Sequence, residues 1–162
     1  MIRFDVSALI KARLGTSLTL NVDTGPQSLA DLELDFLRGT VQVIRVQGGL
    51  LVQGTVESQL RLECVRCLDP FVLPITLELE EIFRLPEAGP RPDDSYAVGA
   101  DGWLDVAPLL GELAWVAIPM KPLCNPDCKG LCPQCGVNLN VESCTCESER
   151  VDPRLAVLKD LL

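Results

Sequence analysis

Histidine is absent from all 162 residues of this chain. With it go the commonest general acid and base and any Ser-His or Cys-His nucleophile. An enzymatic reading therefore starts well behind, and nothing in the chain calls for a small-molecule substrate. Any metal ion must be held by sulfur or carboxylate. Aromatic residues are scarce at 4%, although apolar residues reach 48%. No apolar run approaches the about 20 residues of a membrane-spanning helix, so no membrane role is expected. The opening MIRFDVSALIKARLG contains no apolar stretch closed by a small-residue cleavage site, and so carries no visible secretory signal. The expected setting is the cytoplasm, where reduced cysteines meet metals more often than one another. Positive charge is also in deficit: 14 Lys and Arg against 23 Asp and Glu leave a formal net charge of −9. Such a chain does not grip a phosphate backbone non-specifically and is better suited to a basic protein partner.

What the chain has in abundance is cysteine. Six of its eight cysteines fall between Cys124 and Cys146, in CNPDCKGLCPQCGVNLNVESCTC, and the other two form a CVRC pair at Cys64 and Cys67. That density does not suit independent buried thiols, and eight is two sets of four. Pro133 inside the CPQC step and Gly136 just after it suit a tight metal-binding turn. All-cysteine zinc sites are usually closed and structural, with sulfur about 2.3 Å from the ion. The expected cofactor is therefore zinc, as two structural ions. Each filled site sets four thiolates against one divalent cation, so the two sites add −4 and take the chain from −9 to −13.

Thr16 to Arg84 reads mostly as strands. SLTLNVD alternates with period two, and TVQVIRV, GLLVQGTVESQLRLEC and FVLPITLELEEIF are rich in Val, Ile, Leu and Thr. Gly48-Gly49 marks a hairpin turn. CVRC then falls on the turn between two strands, at one edge of an antiparallel meander. Val56, Ser58, Leu60 and Leu62 alternate with Thr55, Glu57, Gln59 and Arg61, which predicts one buried face and one wet face. Pro86 to Gly102, with its Pro, Gly and Asp, reads as a loop or linker. Beyond it Asp105 can cap a helix through VAPLLGELAWVAI, with Pro108 in the first turn and Pro119 as the stop; Leu109, Leu113 and Trp115-Val116 are expected to face a core. Few apolar residues accompany the cysteines that follow, too few to fold without metal. Asp152 and Pro153 start a last helix whose Leu155, Leu158 and Leu162 either pack on the parent domain, the preferred reading, or dock on a partner.

The fold expected is α+β: an antiparallel sheet or partial barrel with a helix, then a cysteine-rich zinc-binding segment ending in a short helix. Residues 1–102 are the strand-rich part and 103–162 the helix, zinc segment and terminal helix, packed together as one composite domain. The knuckle Cys132-Pro-Gln-Cys135-Gly136 with the nearest pair, Cys144 and Cys146, makes one compact site. By elimination Cys64 and Cys67 then join Cys124 and Cys128. The alternative is a ribbon in which Cys64 and Cys67 meet Cys132 and Cys135. CKGLCPQC also spells C-x3-C-x2-C, a spacing found around iron-sulfur clusters, but too little chain follows it for a radical-enzyme barrel. Simple iron-sulfur ligation or a redox-active C-x2-C pair are lesser alternatives.

CVRCLDPF, IPMKPLCNPDCKGLCPQCGVNLN, CTC and the terminal DPRLAVLKDLL together resemble the YceD family of bacteria and plastids, known as large ribosomal RNA subunit accumulation proteins, across nearly the whole chain. The resemblance implies a role in accumulation or processing of large-subunit ribosomal RNA and no catalytic residue. The expected partner is a ribosomal protein or a pre-ribosomal RNA-protein particle. Direct RNA contact is the second reading, through Arg61, Arg66, Lys121 and Lys129 if the metal sites bring them together. A redox or metal-dependent enzyme is the third.

Overall fold

A computed structural model of the chain describes residues 2–85 and 96–146. The expected terminal helix over 152–162 and residues 86–95 of the expected loop lie outside the described residues. The elements in order are β1 (Arg3–Asp5), α1 (Ser7–Ile10), β2 (Ser17–Thr24), β3 (Gln27–Leu29), β4 (Leu32–Val46), β5 (Gly49–Glu63), β6 (Pro70–Arg84), β7 (Trp103–Asp105) and α2 (Ala107–Ala117). Among the described residues this is a mostly antiparallel-sheet fold with few helices.

β4, β5 and β6 are each 15 residues long and form the expected meander. β2 and then β3 run along the free edge of β4, giving the order β2-β4-β5-β6 with β3 beside β4. Gly25 and Pro26 break that edge strand in two; Pro26 has no N–H to give a ladder, and an edge tolerates this best. Pro70 and Pro74 on β6, the other edge, are tolerated for the same reason. The β3–β4 turn places Ala30 and Asp31 at φ +48° and +66°, as a two-residue hairpin turn with both residues in the left-handed region requires.

The buried face of the sheet carries Leu37, Val41 and Val43 of β4, Leu50, Val52, Val56 and Leu60 of β5, and Leu77, Leu79 and Phe83 of β6. The other face is polar, with Thr55, Glu57, Glu78 and Glu80 exposed. One register fault interrupts the pattern. Leu34 pairs with Leu60 but Leu37 with Ser58, so β4 carries an extra residue opposite Gln59. Ser58, buried at 2% exposure, donates its hydroxyl to the Phe36 carbonyl at 2.5 Å and so satisfies a group within the bulge.

β1 and β7 form a separate two-stranded ribbon, with Arg3 opposite Asp105, and pack on the core through Leu104. Asp105 accepts the Ala107 N–H at 3.0 Å, so it does serve the start of α2 from the end of a strand. The helix ends before Pro119, whose predecessor Ile118 is extended. Its buried face is the expected one only in part. Leu109 is buried and Leu113 packs half-buried against the core, as expected, with Leu110, Gly111 and Ala114 buried beside them, while Trp115 and Val116 are 52% and 83% exposed. Small residues set this face. A Cβ built on Gly111 would stand 3.0 Å from the Ala30 Cβ, so any larger residue would have to push the helix and the β3–β4 turn slightly apart. The Trp115 indole N–H then donates to the Ala30 carbonyl at 2.7 Å.

Candidate metal centres

β5 and β6 stay in register to Glu63 and Pro70, which leaves residues 64–69 as the tip of a long hairpin. There the Cys64 N–H donates to the Asp69 carbonyl at 3.0 Å and the Leu68 N–H to the Cys64 carbonyl at 2.9 Å. Leu68 closes the turn at φ +61°, a conformation that costs a side-chain-bearing residue about 1–2 kcal/mol. The second C-x2-C step repeats the design. The Gly136 N–H donates to the Cys132 carbonyl at 2.9 Å with Gly136 at φ +74°, so glycine occupies the place that Leu68 holds in the first knuckle.

The eight sulfurs gather into two groups. Cys64, Cys67, Cys124 and Cys128 form one, and Cys132, Cys135, Cys144 and Cys146 the other, with the Sγ atoms of each group within 4.8 Å of one another. This is the compact division; the ribbon that would join Cys64 and Cys67 to Cys132 and Cys135 is not the arrangement found. Cys64 and Cys128 sulfurs are 3.7 Å apart, Cys67 and Cys124 3.6 Å, and Cys132 and Cys144 3.5 Å. Four thiolates on one tetrahedral ion with bonds of about 2.3 Å stand about 3.8 Å apart, whereas a disulfide holds its sulfurs at about 2.05 Å. The donor set and its spacing fit one ion in each group. The first group is the more enclosed: Cys64, Cys67 and Cys128 are buried against Phe71, Leu123 and Leu131. In the second only Cys132 is buried.

Each knuckle aims backbone amides at its first sulfur. On Cys132 the amides of Cys135 and Gln134 outweigh burial and bring the thiol down to about 6. On Cys64 burial is the largest influence and acts upward, but the amides of Cys67, Cys124 and Arg66 together prevail and bring this thiol to about 6 as well. Later members resist a second negative charge. Cys146 is pushed up to about 12, first by its hydrogen bond with Cys135, then by burial and by the charge of Cys135 and Cys132. Cys67 is also raised: the Asp69 amide is the largest influence and acts downward, but burial and the three neighbouring sulfurs overcome it. Each group thus presents one ready thiolate beside members whose thiols are raised, Cys67 and Cys124 in the first and Cys144 and Cys146 in the second, and an arriving cation favours loss of those protons.

Arg61 extends from β5 to Asp35, with Nε 2.8 Å from Oδ1. Arg66 turns inward, its Nη1 donating to the Cys128 carbonyl at 2.7 Å while its own carbonyl accepts the Leu131 N–H at 3.1 Å. Lys121 and Lys129 are exposed. The structure thus brings Arg66 to the Cys128–Lys129 turn and leaves Arg61 on the sheet.

Three residues not singled out from the sequence complete the site. Asn138 donates to the Asp69 carboxylate at 2.6 Å, and Asn140 donates to the Cys128 sulfur at 3.3 Å. Two asparagines in GVNLN are a turn signal, but which sulfur or carboxylate they reach depends on contacts across the fold, which spacing alone does not carry.

Comparison with known proteins matches residues 52–162 to the family described as Large ribosomal RNA subunit accumulation protein YceD. The uncharacterized protein Rv2926c of Mycobacterium tuberculosis is 35% identical over 154 residues, which covers 93% of this chain and 69% of that relative. Large ribosomal RNA subunit accumulation protein YCED homolog 1, chloroplastic, of Zea mays is 32% identical over 143 residues, covering 69% of this chain and 49% of the relative. Uncharacterized protein YlbN of Bacillus subtilis is 31% identical over 109 residues, covering 67% and 63%. No solved structure matches.

Proposed function

The chain belongs to the YceD family, and from that membership we propose that it is a non-enzymatic ribosome biogenesis factor, supporting the accumulation or processing of large-subunit ribosomal RNA in the cytoplasm. Each cysteine group holds one structural zinc ion in this reading. Residues 1–102 and 103–162 form one composite domain, because the hairpin tip and the cysteine segment share the first ion. When bound, zinc supplies fixed tetrahedral geometry and charge neutralisation, not reactivity.

The observation that carries this reading is closure. All eight cysteines of the chain enter two complete four-sulfur groups, which leaves neither a spare thiol nor an open ligand position. Four sulfurs on one ion account for the short separations; a four-iron cubane seats each cysteine on a different iron and spreads the sulfurs farther. Function then belongs to the surface that the ions hold in place. The chain as a whole is acidic: −9 becomes −13 with both ions bound, and Glu57, Glu78 and Glu80 lie exposed on the polar face of the sheet that carries the first group at its hairpin tip. Such a surface suits a basic ribosomal protein, free or within a pre-ribosomal particle, better than bare RNA.

The test is binding of the zinc-loaded full chain to individual large-subunit proteins and to naked large-subunit ribosomal RNA across a salt series. The reading expects affinity for one or a few basic proteins and weak RNA binding. Tight RNA binding with a steep salt dependence, lost in the Arg66→Glu, Lys129→Glu double variant, would replace it with direct RNA recognition.

A further inference from the structure

The two cysteine groups are three residues apart in sequence, from Cys128 to Cys132, and the loop that closes the second group reaches back over the first. Residues 136–143 separate the knuckle of the second group from Cys144. Within them the Leu139 N–H donates to the Gly130 carbonyl at 2.9 Å, and Leu131 pairs with Asn138 in a single antiparallel bridge. The two asparagines sit where this loop crosses the first group. Asn138 holds the Asp69 carboxylate through Nδ2, and its Oδ1 accepts from both the Asn140 N–H at 3.0 Å and Asn140 Nδ2 at 2.9 Å. Asn140 Oδ1 accepts the Lys129 N–H at 2.8 Å. A backbone N–H demands an acceptor, which fixes the orientation of the Asn140 amide and leaves its N–H2 end toward the Cys128 sulfur.

We propose that Asn140 couples the two metal centres: a residue positioned by closure of the second group stabilises a ligand of the first, so the ions bind with positive cooperativity. The inference rests on the two-ion reading above and goes beyond it. An N–H bond to a thiolate lowers the cost of its charge, and outer partners of metal ligands commonly alter affinity by about 10–100-fold. When the second group is empty, the loop is held over Cys128 only by its few hydrogen bonds to Asp69, Lys129 and Gly130, no longer pinned at Cys144, and the Asn140 contribution to Cys128 weakens. The coupling is reciprocal, since each ion must assist the other by the same factor. Asn140 is thus a positioning residue.

The experiment is zinc titration of the full chain against a competing chelator, with stoichiometry read by native mass measurement. The affinity for loading both ions on the intact chain is divided by the product of the two affinities in single-site chains, one carrying Cys64→Ser with Cys67→Ser and the other Cys135→Ser with Cys146→Ser. The expected ratio is about 10–100 for the native sequence, falling to about one with Asn140→Ala. Asn140→Asp keeps the acceptor for Lys129 but removes the donor to sulfur, and its ratio falls likewise. A ratio near one in the native sequence, or an unchanged ratio in either variant, overturns the coupling. Failure of the intact chain to take up two zinc ions is a different result, because it removes the two-ion reading itself.

Discussion

Removing the first centre should destabilise the whole sheet, although no sulfur of that centre lies within the main core. The perturbation is Cys67→Ser combined with Cys124→Ser, which deletes two ligands whose sulfurs stand 3.6 Å apart across 57 residues of chain. Between them lie β6 and α2, so the bound ion closes a loop that contains an edge strand and the helix that covers the core. In the chain-entropy picture a cross-link closing about 57 residues contributes about 4 kcal/mol by restricting the unfolded state. With a urea slope of about 2 kcal/mol per molar, the midpoint should fall by about 2 M. Tryptophan emission is a suitable readout, because Trp115 of α2 donates to the Ala30 carbonyl and leaves that setting when the helix departs from the sheet. The control is Cys144→Ser. Its group closes only the 12 residues from Cys132, outside the sheet core, so the sheet transition should shift by clearly less. An unchanged midpoint on loss of the first centre, or an equal shift in the control, would refute the idea that the first ion fastens the cysteine segment to the sheet.

Three further outcomes follow from the contacts. Arg66→Ala removes the guanidinium from the Cys128 carbonyl, and chelator challenge should extract the first ion more readily, by about 1 kcal/mol; an unaltered extraction profile would show the contact to be incidental. Gly130→Ala places a Cβ 3.1 Å from the Arg66 carbonyl at φ +77°, and the strain of about 1–2 kcal/mol should appear as weaker zinc retention with an unchanged sheet circular dichroism spectrum. Ser58→Ala leaves the Phe36 carbonyl without its donor and should lower urea stability by about 1–3 kcal/mol without touching metal content; full stability in that variant would mean that the bulge carbonyl finds water.

The long strands were legible because β5 alternates without a fault from Val56 to Leu62, and the hairpin tip followed from its position between two such runs. The first half of β4 was not, because the bulge near Phe36 shifts the buried positions from Leu34 to Leu37 and so breaks the period. β1 and β7 are three residues each and meet across about a hundred positions, so neither carries a local signal. The face of α2 was legible in part: Leu109 and Leu113 pack on the core, but Trp115 and Val116 do not. Bulky Trp115 and Val116 drew attention, yet the approach of the helix is decided by Gly111 and Ala114, which are informative only once the β3–β4 turn is in place. The cysteine groups were legible in spacing. The asparagines that join them were not, since their donors and acceptors are chosen by the fold.

The central claim is that eight thiolates serve two structural zinc ions. Elemental analysis with native mass measurement on anaerobically purified full-length protein tests it most directly. The account predicts two zinc ions per chain, a colourless protein and no reactive thiol before denaturation. One ion or none, or a brown protein with visible absorption and iron in place of zinc, would contradict it.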